Sequence, residues 1–471
     1  MDNETPIVTG NFPRYCTLNT KPQLWVASAP ANAVDAPRHD VQTPFVIGRH
    51  SDADLCVVEQ QVSRVHLLIT EHDDGGFVIE DRSTNGTFLN GRRLAEKSRL
   101  QHNDLIRIGN VVLVFHTTQH AIMDTLEDEG AYADFSGPFY RNRLIRQLKE
   151  AARSDRPILL TGPSGAGKEL AARIVSRILS SDSRTPMPMV AHNAARFSSE
   201  ADATTALFGV AAGTFTGVES RPGLIESARN SLLFLDEFHN LPERVQRSLL
   251  RVIEDKQLTR IGGVSGARAS ARFIFGANEP APDYGLAPDL LARLRVVEVL
   301  PLSERIADIP TIFNHLLERA LERHKVSSRK VMPFFCGEHY EMLCLDKFEK
   351  DNVRGIVDLA DRLATRMAEG VAVELAIDSV FLERFGSGTP STLSPPPTTT
   401  PDPDTAGPEV ASSSFDSGYE AHKSLIIEAY SKSNNNVRET ARRLKGGGFP
   451  CTRQTISDYL DKWGIRRKKK S

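Results

Sequence analysis

The chain has 471 residues, enough for about three domains of ordinary size. With 40% hydrophobic and 25% charged residues, its composition argues against wholesale disorder. It contains no run of the ~18 apolar residues that a membrane span requires, and its first residues do not resemble a signal peptide. The five cysteines form no C-x-x-C pair, which favours reduced thiols over a metal site or a disulfide framework. These features predict a cytoplasmic protein without a membrane partner.

The net charge of −2 conceals a strong asymmetry along the chain. Residues 419–471 contain 13 Lys and Arg against 5 Asp and Glu, a net of +8 that leaves −10 for the rest. A basic carboxy-terminal module on an otherwise acidic protein is typical of contact with nucleic acid.

Residues 24–117 have the pattern of an all-β sandwich. Short runs rich in β-branched residues alternate with turns such as Ser83-Thr-Asn-Gly. The predicted strands include residues 44–48, 65–69, 77–80, 105–108 and 111–115. An acidic segment, residues 124–134, separates this region from the next.

Polar residues cluster in the predicted turns of this sandwich. They lie within Gly48-Arg49, Ser63-Arg64-Val65-His66, Thr84-Asn85-Gly86-Thr87 and Asn90-Gly91. The set resembles the forkhead-associated (FHA) domain, a β-sandwich that binds phosphothreonine. The resemblance implies that Arg49, Ser63 and Arg64 hold the phosphate. It assigns Thr84 and Asn85 to the peptide backbone and a structural role to His66. A phosphate suits a guanidinium with hydroxyl and amide donors.

Two alternatives stay open for this sandwich. The same residues also fit a β-sandwich whose polar turns bind no phosphopeptide. If a phosphothreonine does bind, it belongs either to a partner such as a kinase or to the chain's own segment around Thr398.

From residue 135 onward, strands alternate with helices, which predicts an α/β domain with a parallel sheet. The strand Ile158-Leu-Leu runs into Gly162-Pro-Ser-Gly-Ala-Gly-Lys168, which matches the phosphate-binding pattern G-x-x-x-x-G-K. Gly162, Gly165 and Gly167 let backbone N–H groups face a phosphate at a helix amino terminus, and Lys168 would neutralise its charge. The alternative is a glycine-rich turn without a ligand.

Two acids follow the apolar run Leu232-Leu-Phe-Leu. Because residue 169 is Glu rather than the usual Ser or Thr, no hydroxyl is available there for Mg²⁺, and the metal falls to Asp236. Glu237 would then polarise the attacking water. Paired acids at this place also fit a simple helix cap.

The loop with Glu169 in its eighth position resembles the bacterial sigma-54-dependent activators, an AAA+ ATPase family. The segment Gly213-Thr-Phe-Thr-Gly-Val218 resembles the family's sigma-54-contacting loop, and the likeness covers about residues 135–385. It implies a P-loop ATPase with a helical lid that binds ATP between subunits of a ring, as a hexamer. It also implies that Phe215 and Thr216 contact the sigma-54 factor of RNA polymerase.

Further roles follow from the same resemblance. Asn193 matches the family's switch asparagine, Asn278 its sensor, Arg293 one of two arginine fingers, and Arg354 the second sensor. Glu169 belongs to the nucleotide-binding set, whereas Ala287 replaces the other arginine finger. Because an in-trans arginine is worth about 10³–10⁵ in rate, this replacement predicts slow hydrolysis. Each of these residues by itself also fits an ordinary polar surface position.

The carboxy-terminal part has two predicted segments. Residues 387–418 are rich in Ser, Thr and Pro, which predicts a disordered linker. Residues 419–471 contain three predicted helices and resemble the Fis-type helix-turn-helix. The resemblance implies that Arg453, Gln454 and Ser457 contact double-stranded DNA at an upstream enhancer. A generic helical hairpin is the alternative.

The sequence therefore predicts three folded domains: an FHA sandwich (24–117), an AAA+ ATPase (135–386) and a helix-turn-helix (419–471). The predicted function is a sigma-54-dependent activator that hydrolyses ATP under the control of phosphothreonine recognition. Such a protein would lie in the bacterial cytoplasm, at the nucleoid when bound to DNA. The competing function is a regulator without motor output, whose degenerate ATPase only switches oligomeric state.

Overall fold

The computed structural model describes residues 22–117, 135–183, 187–214, 219–264, 266–278, 286, 288–386 and 440. Several predictions lie outside the described residues: Phe215, Thr216, Ala287, the linker, and the helix-turn-helix with Arg453, Gln454 and Ser457. The chain divides into two compact units, Met1–Thr392 and Leu393–Ser471, and the first is described below. None of the helices in the described part of the chain has the length and apolar character that a bilayer crossing requires.

Residues 23–116 form a sandwich of two sheets. One sheet has the order β2-β1-β11-β10-β7-β8 and the other β4-β3-β5-β6-β9. The strands are β1 (Gln23–Ser28), β2 (Arg38–Asp40), β3 (Phe45–Gly48), β4 (Leu55–Cys56), β5 (Leu67–Glu71), β6 (Phe77–Asp81), β7 (Thr87–Leu89), β8 (Arg92–Arg93), β9 (Ser98–Leu100), β10 (Asp104–Ile108) and β11 (Val111–His116). The predicted all-β sandwich is confirmed.

The central strand β11 is buried on both faces. Val111, Leu113 and Phe115 point into the core between the two sheets. Because side chains alternate along a strand, Val112 and Val114 point the other way. They join a different core, which includes helices of the following domain. The outer face of this sheet is therefore an interface rather than a solvated surface.

Residues 135–300 contain a five-stranded parallel sheet with the order β13-β16-β19-β12-β20. Its strands are β12 (Ile158–Thr161), β13 (Met189–Asn193), β16 (Leu232–Asp236), β19 (Arg272–Ala277) and β20 (Arg295–Glu298). Two small hairpins pair β14 (Gly209–Val210) with β15 (Arg221–Pro222) and β17 (Gln257–Thr259) with β18 (Gly266–Arg268). The helices here are α1 (Arg141–Ala152), α2 (Lys168–Ser183), α3 (Glu200–Phe208), α4 (Leu224–Ser227), α5 (Glu243–Asp255) and α6 (Pro288–Leu291). The predicted α/β fold with a parallel sheet is confirmed.

A helical lid follows the sheet. It consists of α7 (Ile309–Arg323), α8 (Gly337–Asp346), α9 (Val353–Ala368) and α10 (Val373–Phe385). The lid helices bury Phe313, Leu359 and Phe381 against one another, within the core that also contains Val112 and Val114 of the sandwich.

The sandwich packs directly on the α/β domain and its lid. The Trp25 ring meets Phe139 edge-on at a centroid distance of 5.0 Å, and the His116 ring stacks on Phe139 at 4.6 Å. A buried ion pair joins Arg107 of β10 to Glu341 of α8 at 2.6 Å. The two domains therefore share one hydrophobic core.

Removing the sandwich should destabilise the α/β domain and its lid. A fragment of residues 135–386 would expose the apolar faces of α7 and α8 and leave Glu341 without its arginine. Returning apolar surface to water costs about 25 cal/mol per Å². We expect a lower urea midpoint of unfolding than for a fragment of residues 22–386. Equal urea midpoints for the two fragments would contradict the shared core.

Candidate nucleotide and phosphopeptide sites

Residues 162–168, called the phosphate loop below, join the end of β12 to the start of α2. Its glycines Gly162, Gly165 and Gly167 have φ angles of 142°, 77° and 109°. A Cβ on Gly165 would lie 2.7 Å from the carbonyl oxygen of Asp351, just before the lid helix α9. The loop therefore needs glycine both for its backbone conformation and for its contact with the lid.

Lys168 ends this loop as the first residue of α2 and is 6% exposed. Its Nζ donates to the carbonyl oxygens of Gly162 (2.8 Å) and Pro163 (3.1 Å) and to Oδ1 of Asn278 (2.9 Å). Burial lowers the pKa of Lys168, and the nearby carboxylate of Asp236 opposes this effect. The structure thus brings Asn278, at the end of β19, to the lysine of the loop.

The two predicted acids lie at the end of the neighbouring strand β16. Oδ1 of Asp236 accepts the backbone N–H of Glu237 at 2.9 Å, and Glu237 has a left-handed backbone with φ of 50°. A Cβ on Gly276 would lie 2.3 Å from Asp236 Oδ1, so the adjacent strand leaves room for this carboxylate. Oε2 of Glu237 is 3.4 Å from Nδ2 of Asn240.

A magnesium ion fits this pair of carboxylates only together with a nucleotide. No cluster of three or more metal-binding side chains occurs among the described residues. Mg²⁺ at nucleotide sites is held by one or two carboxylates with phosphate oxygens and waters. Asp236 and Glu237 are carboxylates that could supply such ligands; the metal role of Asp236 remains a prediction.

Asn193 pairs in register with Asp236 across β13 and β16. Its side-chain oxygen accepts the N–H of Ala195 at 2.8 Å and caps the short helix that follows. The backbone thus brings Asn193 to the acids, while its side chain is engaged locally.

The predicted arginines have different surroundings. Nη1 of Arg354 donates to Oγ of Ser164 in the phosphate loop at 2.8 Å. Arg293 follows α6 and pairs with Glu254 of α5 at 2.9 Å. Glu169 forms an exposed pair with Arg173 one turn later on α2. Only Arg354 among these three meets the phosphate loop through a described hydrogen bond of its side chain.

Arg156 supports the segment that carries Arg293, and sequence reasoning missed it. Its guanidinium donates to the carbonyl oxygens of Ala292, Arg293 (3.1 Å) and Leu294 (3.3 Å). The backbone N–H of Arg295 also donates to Pro157 at 2.8 Å. No local motif marks such a contact, because 136 or more residues separate the partners.

Asn352 is a second residue that the sequence did not reveal. Its Oδ1 accepts the N–H of Leu302 at 3.1 Å, and its Nδ2 donates to the carbonyl oxygen of Ser164 at 3.2 Å. It is 2% exposed and has φ of 50° and ψ of −137°, a region that favours glycine. Asn352 thus ties the phosphate loop to the lid.

A cavity of about 500 Å³ opens beside Gly167. Its walls include Phe135, Leu170, Arg305 and Ile312. This volume is within the range of small-molecule sites. The walls combine these apolar side chains with further basic ones, Arg173, Arg177 and Arg319.

Arg305, at the edge of this cavity, is 1% exposed. It donates to the carbonyl oxygen of Ala166 at 2.8 Å and lies 5.2 Å from the ring centre of Phe135. Burial lowers its pKa, and Asp308 opposes this effect. The cavity therefore adjoins both the phosphate loop and a buried cation.

The predicted phosphopeptide residues lie on neighbouring loops at one end of the sandwich. The N–H of Thr84 donates to Oγ of Ser63 at 3.2 Å, and Nδ2 of Asn85 donates to the carbonyl oxygen of Gln61 at 2.7 Å. The side chains of Arg49 and Arg64 are exposed. The structure therefore brings all five residues together at one surface.

His66 lies beneath these loops and is fully buried. Its Nδ1 accepts the N–H of Ser63 at 3.0 Å, and burial lowers its pKa. Gly48 allows the loops to approach, since a Cβ there would lie 2.1 Å from the carbonyl oxygen of Arg64. His66 therefore supports the surface from below.

The predicted sigma-54 loop is described only at its base. The hydroxyl of Thr214 lies 2.8 Å from the carbonyl oxygen of Ala211 and 3.0 Å from that of Ile261. Arg260 forms a two-bond ion pair with Glu226 at 2.6–2.8 Å. These contacts anchor the base of the loop to the segment next to β17.

Two family models match this chain, one in the α/β domain and one in the sandwich. The model of the sigma-54 interaction domain matches residues 140–300, and the model of the FHA domain matches residues 45–109. The transcriptional regulatory protein GlrR of Escherichia coli K12 is 35% identical over 190 residues, which cover 39% of this chain and 42% of that protein. The chain thus spans about two fifths of the length of that relative.

Two other relatives are covered over most of their length. The Psp operon transcriptional activator of Escherichia coli K12 is 32% identical over 249 residues, 51% of this chain and 73% of that protein. The dicarboxylate transport regulator DctD of Pseudomonas aeruginosa is 29% identical over 441 residues, 90% of this chain and 84% of that protein. A crystal structure of NtrX from Brucella abortus in complex with ATP aligns with a TM-score of 0.46 at 24% identity, over 70% of this chain and 71% of that one. The chain belongs to the family of transcriptional regulators that share the sigma-54 interaction domain.

Replacing Asn352 should separate the bonding role of its side chain from its unusual backbone. Asn352→Ala leaves the Leu302 N–H and the Ser164 carbonyl without partners, at a cost of about 1–3 kcal/mol. Asn352→Gly loses the same bonds but adopts the backbone freely, so we expect a smaller loss of unfolding free energy in urea. Equal losses in the two variants would contradict a strained backbone at Asn352.

Proposed function

We propose that this protein is an ATP-driven transcription activator that remodels closed complexes of RNA polymerase with sigma-54. The observation that carries the proposal is the convergence of Lys168, Asn278 and the acids Asp236 and Glu237 at the carboxyl ends of adjacent strands. Ligands of open α/β sheets bind at this edge. Membership in a family of transcriptional regulators supports transcription activation as the function.

The phosphate loop and the amino terminus of α2 would receive the phosphates of ATP. Lys168 would give up contacts with loop carbonyls to neutralise the outer phosphates, and the cavity beside Gly167 would hold the nucleoside. Asp236 would hold Mg²⁺, which supplies charge neutralisation at the transferred phosphoryl group. Glu237 would orient and polarise the attacking water. Arg354 of α9 would contact the bound nucleotide and so couple its presence to the position of the lid.

Work on the polymerase would be done by residues 213–218. Thr214 anchors one end of this loop to the segment beside β17. A change at the nucleotide site would be transmitted to Phe215 and Thr216. Ring assembly, as a hexamer, would bring Arg293 to the ATP of a neighbouring subunit. The basic residues 419–471 would hold the ring at an enhancer on double-stranded DNA.

The acid Glu237 provides the direct test of the motor. Glu237→Gln should still bind ATP but lose about 10²–10⁴ of its hydrolysis rate, because the water loses its base. Opening of a sigma-54 promoter should be lost with it. Glu243→Gln, an exposed glutamate on α5 paired with Arg247, is the matched control and should behave as wild type.

A second candidate function is a regulator that binds nucleotide without motor output. Its support is the pairing of Arg293 with Glu254 of its own chain, together with alanine at position 287. Full promoter opening by Glu237→Gln would favour this candidate. Loss of opening in Glu237→Gln but not in Glu243→Gln would exclude it.

We also propose that phosphothreonine recognition controls this activity. The exposed guanidinium groups of Arg49 and Arg64 with Ser63 offer a charged site for a phosphate, and Asn85 lies beside them. A kinase-modified partner and the chain's own segment around Thr398 remain the two candidate sources.

Arg49→Ala tests the phosphate site. A hydrogen bond to a charged group is worth about 1.5–3 kcal/mol, so affinity for a pool of phosphothreonine peptides should fall about 10-fold or more. Arg99→Ala is the matched control, because Arg99 pairs with Asp74 at 2.6 Å. Calorimetry with the unphosphorylated pool should show no binding. Equal binding by wild type and Arg49→Ala would contradict the assignment.

A further inference from the structure

We propose that the FHA sandwich is a working part of the ATPase lid, in which Arg107 and Asn110 act as positioning residues for the nucleotide site. The proposal rests on the proposed nucleotide binding. It goes beyond it, because residues of the phosphopeptide-reading domain would help to set the affinity for nucleotide in the other domain. Three linked sets of contacts support it.

The first set joins β10 to the middle of α8. Glu341 is 2% exposed and receives two hydrogen bonds, both from the sandwich. Nε of Arg107 donates to its Oε2 at 2.6 Å, and the N–H of Gly91 donates to its Oε1 at 3.0 Å. The Arg107 guanidinium also lies 3.8 Å from the ring centre of Phe88. A buried carboxylate bonded in this way strongly constrains the position of α8.

The second set joins the β10–β11 turn to the start of α8. Oδ1 of Asn110 accepts the N–H of Gly337, the first residue of α8, at 3.1 Å. A Cβ on Gly337 would lie 2.7 Å from Cα of Asn110, so only glycine allows the two backbones to meet. Nδ2 of Asn110 donates to Glu59 at 2.9 Å.

Glu59 connects this turn to the phosphopeptide surface. It lies two residues before Gln61, whose carbonyl oxygen accepts the side chain of Asn85. It also accepts the backbone N–H of Asn110 at 3.0 Å. The same turn therefore contacts the recognition loops on one side and the lid on the other.

The third set runs from α8 to the phosphate loop. Arg384 of α10 bridges Asp346, at the end of α8, and Asp351, just before α9, at 3.0 Å and 2.9 Å. Arg354, in the first turn of α9, then donates to Ser164 of the phosphate loop. A displacement of α8 would therefore reach the residue that contacts the nucleotide loop.

These contacts form an unbroken path, but position alone does not establish energetic coupling. The path requires that loosening the sandwich from α8 weakens nucleotide binding at a site it does not touch. Consider a phosphopeptide whose binding shifts the β10–β11 turn. By linkage, this peptide would change the affinity for nucleotide, and the nucleotide would change the affinity for the peptide by the same factor.

The test measures the affinity of the full chain for a fluorescent ADP analogue, with thermal unfolding recorded to confirm that each variant is folded. Arg107→Met and Asn110→Ala should each weaken binding about 5-fold or more, the lower end of typical coupling between sites. Gln101→Ala removes an exposed carboxamide from the same domain and should change nothing. The double variant Arg107→Met/Glu341→Leu replaces the ion pair by apolar groups and should recover binding to within about 2-fold.

A second arm separates positioning from general weakening of the fold. If Arg107 acts through α8 and α9, its effect is already lost in Arg354→Ala. Arg107→Met/Arg354→Ala should then bind no more weakly than Arg354→Ala, because effects along one path are not additive. The proposal would be overturned if the loss of affinity in the double variant equalled the product of the two single losses. Wild-type affinity in both Arg107→Met and Asn110→Ala would also overturn it. Absence of nucleotide binding by the wild-type chain would instead refute the proposed function, and the inference with it.

Discussion

The first unit depends on a buried carboxylate, Asp308, at the junction of its parts. Its two oxygens accept the backbone N–H groups of Phe139 (2.6 Å) and Tyr140 (3.1 Å). Burial raises the pKa of Asp308 to about 7, while Arg305 and these two N–H groups oppose the rise. Gly137 makes the approach possible, because a Cβ there would lie 2.3 Å from the Asp308 carboxyl carbon.

Three parts of the molecule meet around this carboxylate. Phe139 packs against Trp25 and His116 of the sandwich. Arg305 reaches the phosphate loop through Ala166, and α7 begins at the residue after Asp308. A buried carboxylate without hydrogen-bond partners is costly. The hydrogen bonds to Asp308 therefore favour the arrangement that holds these three parts together. The candidate nucleotide site therefore lies beside the contact between sandwich, sheet and lid.

Much of the architecture could be predicted because its signals are local. A strand, a glycine-rich turn and a helix start are adjacent in sequence around Lys168, and an apolar run leads directly to Asp236 and Glu237. The alternation of β-branched runs with turns likewise predicted the sandwich. The roles carried over from the family for Asn193, Arg293 and Arg354 remain predictions. The structure shows Arg354 at the phosphate loop, Asn193 as a cap and Arg293 paired with Glu254.

The sequence by itself determined the two folds and the short motifs of the candidate sites, because periodicity and turn residues act over a few positions. Tertiary structure alone decided that the sandwich and the lid share a core. Val112 and Val114 read as ordinary strand residues, and the partners Arg107 and Glu341 are 234 residues apart. Burial and ion pairing between distant segments depend on how the chain packs, which no local pattern encodes. The same reason hid Arg156, Asn352 and Asp308.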